Sequence, residues 1–256
     1  MSQKIPYPEV RTINPLTGKF RAVIVCVNFS DILSLTLPYN IHHFSEVMVV
    51  TSKEDYDTQR LCNTLKVRVH STNSFYHDNA SFAKFRALEQ ALDSFGRSEW
   101  MTFVDADIFW PKTLPSMIME AGNLYSFRRR RLLLDTTSEI PKEALWRTLP
   151  IDPQSICPEA AECMGFTQIF HASDQRLKTI PWHDITLPTA ALGDSFFQQK
   201  WELRRKVWID ADCLHLGEVA KNWCGRVSPY RNGSLPPEAT IKISEVEELK
   251  RRLWPS

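Results

Sequence analysis

Residues 100–111 (Trp-Met-Thr-Phe-Val-Asp-Ala-Asp-Ile-Phe-Trp-Pro) constrain the fold of this chain more than any other segment. An apolar run drives toward a core, two carboxylates follow with one alanine between them, and apolar residues resume at once. Ionised carboxylates are costly to bury unless they are paired or bind a cation. The segment therefore reads as a strand that delivers Asp105 and Asp107 to the edge of a sheet, where something positive meets them. A divalent metal ion carrying a diphosphate suits this pattern. A helix cap, or ion pairs with rim arginines, is the plainer alternative.

Earlier segments share the apolar character. Residues 20–27 form a near-continuous apolar run of the kind a parallel sheet buries on both faces, and residues 46–50 form a second. Residues 55–65 read as a helix and 67–70 as a third, shorter strand. Phe82, Phe85, Leu88, Leu92 and Phe95 recur at helical spacing, on a helix that Asp78, Asn79 or Ser81 can cap and Gly96 stops. This strand–helix–strand alternation predicts an α/β sandwich with a mostly parallel central sheet. Ligands of such sheets bind beyond the carboxyl ends of the strands. Asn28, Asp31, Thr51, Ser52, Asp55, Asp105 and Asp107 all fall at that edge and read as one site.

Beyond Pro111 the pattern is less regular. Residues 114–121 read as helical, 128–131 are four consecutive arginines, and a short helical segment is expected around Trp146. Residues 164–170 read as a strand, 193–201 as a helix start with Asp194 in its first turn, and 207–217 as a late strand. The tail holds a capping-box pattern at 244–247 ahead of Leu249 and Leu253. Residues 1–19, polar and with three prolines, are expected to lie on the surface as an arm.

Composition narrows the classes. A net charge of +1 provides no global field toward nucleic acid or an anionic membrane, and eight glycines argue against a glycine-rich phosphate loop. None of the six cysteines forms a C-x-x-C pair, and Cys26 and Cys213 sit in apolar runs where a thiol acts as a small hydrophobe. With no apolar leader at the N-terminus and no run long enough to span a membrane, a reducing, cytoplasmic setting is expected.

Taken in order, these features resemble a nucleotide-sugar glycosyltransferase of the GT-A fold, over roughly residues 20–226. Asp105-Ala106-Asp107 is similar to that fold's Asp-x-Asp element. Residues 165–170 followed by 193–197 resemble its acceptor-side segment, and His215-Leu216-Gly217 is similar to its late metal-completing histidine. The resemblance implies a GT-A-like, Rossmann-type α/β/α sandwich with an irregular acceptor-side C-terminal half. It also implies one domain, with residues 20–111 as the nucleotide-sugar-binding half, 112–226 completing the acceptor and metal sites, and 227–256 as a helix-bearing tail.

Its chemistry would be metal-dependent transfer from a nucleoside-diphosphate sugar, most simply a UDP-sugar, to an acceptor hydroxyl. Mn²⁺ or Mg²⁺ would be held by Asp105, Asp107 and His215, with Asp107 bound directly and Asp105 facing the ribose or reaching the ion indirectly. Asp194 would be the general base, which makes inversion the expected outcome over retention. Lys84 would reach the diphosphate; Thr51, Ser52 and Asp55 would bind base and ribose, and Gln168 sugar hydroxyls.

Each assignment has a bland counterpart. Asp194 serves equally as a first-turn acid, Thr51, Ser52 and Asp55 as a turn and cap, His215 as a structural histidine, and Gln168 as a solvated strand end. The default for Arg128–Arg131 is a solvated segment; otherwise it meets the diphosphate, a lipid-linked acceptor's phosphates or a nucleic-acid backbone. Trp182 or Trp223 could stack on a sugar or base. The acceptor implied by the resemblance would be a glycan, a lipid-linked precursor or a hydroxymethylated base in phage DNA. The rivals are a nucleotidyltransferase on the same fold, which lacks its glycine-rich loop here, and a catalytically silent nucleotide-sugar-binding module.

Overall fold

A computed structural model describes residues 20–80, 82–132, 141–151, 165–190 and 193–216. The proposed arm at 1–19, Ser81, Cys157, Cys163, Gly217, residues 222–226 with Trp223 and Cys224, and the tail helix lie outside the described residues.

Eight strands form one sheet: β1 (Phe20–Val25), β2 (Phe44–Ser52), β3 (Arg68–Thr72), β4 (Trp100–Asp105), β5 (Ile108–Phe109), β6 (Leu124–Leu132), β7 (Thr167–His171) and β8 (Lys206–Leu216). Their order is β3-β2-β1-β4-β7-β6-β8-β5. The half from β3 to β4 is parallel, as expected. The other half is mixed, because β7 runs antiparallel to β4 and β6, and β5 runs antiparallel to β8. Among the described residues four α-helices accompany them: α1 (Ser30–Asn40), α2 (Tyr56–Leu65), α3 (Lys84–Phe95) and α4 (Gly193–Gln198).

Side-chain alternation divides β1 between two cores. Ala22 and Ile24 join Ile32, Leu33 and Leu37 of α1 on one face, whereas Val23 joins Phe85, Leu88 and Leu92 of α3 on the other. Both faces are covered, which is why the run is apolar throughout. All five apolar residues expected along the α3 region, from Phe82 to Phe95, are buried.

Several expectations fail for local reasons. Residues 114–121 are not helical, since Pro115 lacks an N–H and disfavours helical geometry at Leu114. The helix carrying Phe85 begins only at Lys84, capped by Ala83 without a side-chain bond. Asp78 and Asn79 belong instead to a 3-10 turn (Ser74–Asn79), and Asp78 pairs with Arg86 and His77. Trp182 is buried against Phe170 and Arg97, so it offers no stacking face.

The arginine run is not a solvated patch. It lies in β6, parallel to β8, and its charges meet the acids of that strand: Arg128 pairs with Asp210, and Arg130 Nε donates to Asp212 Oδ1 at 3.1 Å. Arg129 is buried, its guanidinium 4.7 Å from the Phe166 ring centroid. Among the described residues no helix is long and apolar enough to cross a membrane.

His43, buried beside Trp110, gives the fold a titratable weak point. Burial, reinforced by the neighbouring His42, pushes its pKa down to about 4. An imidazole that is neutral when folded but titrates near 6.5 when unfolded contributes stability above that pH and loses it as pH falls toward 4. About 2–3 kcal/mol should therefore disappear between pH 7 and 4.5. Urea denaturation of wild type and His43→Phe should show that much of the pH dependence missing from the variant; parallel curves would refute the assignment.

Candidate active site

The carboxyl end of β4 and the turn to β5 present the Asp-Ala-Asp pair. Helix α1 fixes that turn from beneath: Thr36 Oγ1 donates to Ala106 O at 2.5 Å, Asn40 Nδ2 donates to Ile108 O at 2.7 Å, and Asn40 Oδ1 accepts from Trp110 N at 2.8 Å. The sequence reading missed both residues. Their signal was present, as two polar side chains four apart on a helix whose remaining face is Ile32, Leu33, Leu35 and Leu37.

Pairing of β5 with β8 sets Ile108 opposite His215, and the Leu216 N–H donates to Asp107 O at 3.0 Å. Asp107 Oδ2 consequently lies 3.1 Å from His215 Nε2, with both side chains buried. Residues 108 positions apart thus share one corner of the sheet edge.

Asp105 turns the other way. Its Oδ1 accepts from Lys84 Nζ at 3.1 Å, and the same ammonium donates to Asp194 Oδ2 at 3.3 Å. The expected three-ligand set is therefore divided, with Asp107 and His215 in one pair and Asp105 held by Lys84. Among the described residues no group of three or more His, Cys, Asp or Glu side chains is disposed around a metal position.

Two glycines seat Asp194. A β-carbon on Gly193 would fall 1.9 Å from Phe85 Cε2, and one on Gly165 would fall 2.8 Å from Asp194 Cβ. Helix α4 can sit this close to β7 and α3 only because both positions lack a side chain. Burial, together with the charge of Asp105, pushes the Asp194 carboxyl up to about 6 against the opposing pull of Lys84. Burial alone would lower the Lys84 ammonium, but the two carboxylates outweigh it and raise its pKa.

The remaining candidates have structural positions. Asp55 caps α2 through Thr58 N (3.1 Å) and also accepts from Thr51 Oγ1 (2.8 Å) and the backbone N–H of Asn28 (2.7 Å). This matches the turn-and-cap reading, and it ties the end of β1, where Asn28 has φ +60°, to α2. Ser52 and Asp31 are buried nearby. Gln168 is fully buried rather than solvated, and its Nε2 donates to the Asp194 carbonyl at 3.2 Å. It braces α4 from β7.

No protein-family model and no curated protein matches the sequence. Solved structures do. A mannosyl-3-phosphoglycerate synthase from Rubrobacter xylanophilus superposes with a TM-score of 0.51 at 14% identity, covering 80% of this chain and 69% of that one. A glucosyl-3-phosphoglycerate synthase from Mycobacterium tuberculosis in complex with Mn²⁺, UDP and glucosyl-3-phosphoglycerate gives 0.44 at 17% identity, covering 77% and 72%. The inositol-1-phosphate CTP transferase from T. maritima gives 0.48 at 9% identity, covering 91% and 98%. The first likeness defines the fold: the chain has the GT-A-like α/β architecture, its parallel half joined to a mixed half at β4–β7.

Proposed function

We propose that this chain is a divalent-metal-dependent glycosyltransferase that moves a sugar from a nucleoside-diphosphate donor, most simply a UDP-sugar, to an acceptor hydroxyl. The observation that carries the reading is the buried Asp107–His215 contact at the strand ends, beside the Lys84–Asp105–Asp194 group.

A carboxylate oxygen next to an imidazole nitrogen suits Mn²⁺ or Mg²⁺, with the nitrogen favouring Mn²⁺. Asp107 and His215 would hold the ion, and Asp105, 38% exposed at its side chain, remains free to face the ribose or the metal's outer ligands once it leaves Lys84. When bound, the cation supplies charge neutralisation for the departing diphosphate. The protein's own groups do the rest. Lys84 reaches the diphosphate, and Asp194 takes the proton of the acceptor hydroxyl, which makes inversion the proposed stereochemistry. Donor recognition belongs to residues 20–111, and metal completion and acceptor binding to 112–226.

A glycan or a lipid-linked precursor is the proposed acceptor class. A hydroxymethylated base in phage DNA is the alternative acceptor; the pairing of Arg128 and Arg130 with Asp210 and Asp212 counts equally against those arginines meeting a nucleic-acid backbone and against their meeting lipid-linked phosphates. Cys26, Cys62 and Cys213 are buried free thiols, in keeping with a cytoplasmic enzyme.

The reading is tested by thermal shift with a panel of nucleotide sugars, each with and without Mn²⁺. A Tm rise that requires both Mn²⁺ and one UDP-sugar is expected. No rise with any UDP- or GDP-sugar would overturn the proposal. A second expectation concerns pH. Because Asp194 acts as a base and its pKa is pushed up to about 6, kcat/KM should climb as pH rises to about 6 and then level off. Asp194→Asn should remove that limb and lower turnover by about 10²–10⁴-fold. A variant that keeps the limb would assign the base elsewhere.

A further inference from the structure

The first turn of α3 is built against helix stability. It has no side-chain cap, carries no acidic residue, and sets the Lys84 ammonium at the positive end of the helix dipole. What holds the ammonium there comes from distant parts of the chain: Asp105 from the end of β4 and Asp194 from the first turn of α4. Lys84 is the most enclosed of the three, with its side chain 13% exposed against 24% for Asp194 and 38% for Asp105. The approach of Asp194 is permitted by Gly165, where a side chain would meet the Asp194 Cβ at 2.8 Å.

One ammonium shared between two carboxylates satisfies neither fully. A nucleotide-sugar diphosphate brings two negative charges in one group, as many as the two carboxylates together, and so can replace both around the ammonium. Lysine is a point charge on a flexible stem, so it re-aims without moving the backbone. On the nucleotide-sugar reading above, we propose that Lys84 is an internal counter-ion latch. In the donor-free protein it ties Asp105 to Asp194, and the donor's diphosphate draws the ammonium off both. Asp105 is thereby released toward the ribose and metal, and Asp194 toward the acceptor hydroxyl. The latch imposes an order in which the donor enters first and exposes the base for the acceptor.

Binding without metal tests the latch separately from catalysis. The Kd of UDP, and of inorganic pyrophosphate as a probe with neither base nor ribose, is measured calorimetrically in EDTA. The proteins are wild type, Asp194→Asn, Lys84→Met and the double variant. Asp194→Asn is expected to bind both probes about 3- to 10-fold more tightly, because Lys84 then has one partner fewer to leave. That gain should vanish in the Lys84→Met background, which by itself binds at least about tenfold more weakly. An Asp194→Asn protein with unchanged or weaker binding overturns the latch. So does a gain of equal size in both backgrounds, which is plain repulsion between Asp194 and the diphosphate. Should Lys84→Met not fold, Asp105→Asn releases Lys84 without altering it and should tighten pyrophosphate binding; no tightening overturns the latch. Detectable binding with no coupling sinks the latch, and so does no binding of either probe in EDTA, since the latch needs the diphosphate itself to draw Lys84 away; the nucleotide-sugar reading is judged separately, by binding in the presence of Mn²⁺.

Discussion

Asp107→Asn is expected to lower Mn²⁺-dependent transfer, and donor hydrolysis in the absence of acceptor, by about 10²–10³-fold. Asparagine is the informative replacement. Its amide oxygen still accepts a hydrogen bond from His215, now 3.1 Å from Asp107, so the β5–β8 corner keeps its geometry. What it lacks is the negative charge that holds a divalent cation. If Asp107 served only to satisfy a buried histidine, the asparagine variant would work nearly as well as wild type. Asp107→Ala removes both functions and should also cost about 1–3 kcal/mol of stability, since His215 is left buried beside an empty position. A large activity loss in Asp107→Asn with an unchanged melting temperature separates metal binding from structure. Equal activity would leave the chain a fold without this chemistry.

Gly193→Ala is expected to be the most destabilising Gly→Ala change among the described glycines. The new carbon would fall 1.9–2.4 Å from three atoms of the Phe85 ring. That ring has little freedom to yield. It stacks on His183 at 5.1 Å, His183 stacks in turn on Phe197 at 4.6 Å, and the His183 ring is held by Glu89 through a 2.7 Å hydrogen bond. Glu89 is further fixed by Arg97 at 2.7 Å. Overpacking of a rigid site costs about 1–3 kcal/mol or more, which for a domain of this size lowers Tm by roughly 2–12 °C. The strain should fall on α4 and displace Asp194, so activity should fall beyond the loss of folded protein. Phe85→Leu, destabilising alone, should partly rescue Gly193→Ala in thermal melts. Additive losses would mean that the helix moves away rather than meeting the ring.

The parts of the fold that were legible in the sequence are those fixed by local periodicity. The strands β1, β2 and β4 are apolar runs bounded by polar turns, and α3 carries its apolar face at helical spacing. What escaped depends on partners far away in the chain. Arg128–Arg131 looks like a solvated run until β8 brings Asp210 and Asp212 beside it, about 80 residues later. Gln168 reads as a strand end until α4 covers it. Residues 114–121 show helical spacing, and only the weight given to Pro115 distinguishes them from a helix.

The site divides in the same way. The carboxylates announce themselves through the cost of placing charge after an apolar strand, whereas the meeting of Asp107 with His215 was implied only by a resemblance. The split of Asp105 from Asp107 follows from the turn geometry. One residue is the last of β4 and the other lies in the turn before β5, so neighbours in sequence face different partners.

The central claim, that Asp107 and His215 hold a divalent cation against a nucleotide diphosphate, is tested most directly by electron paramagnetic resonance of Mn²⁺. Wild-type protein with UDP should deplete the free Mn²⁺ signal well beyond what UDP alone depletes, and Asp107→Asn and His215→Ala should each abolish that extra depletion. Equal depletion by wild type and both variants would contradict the account.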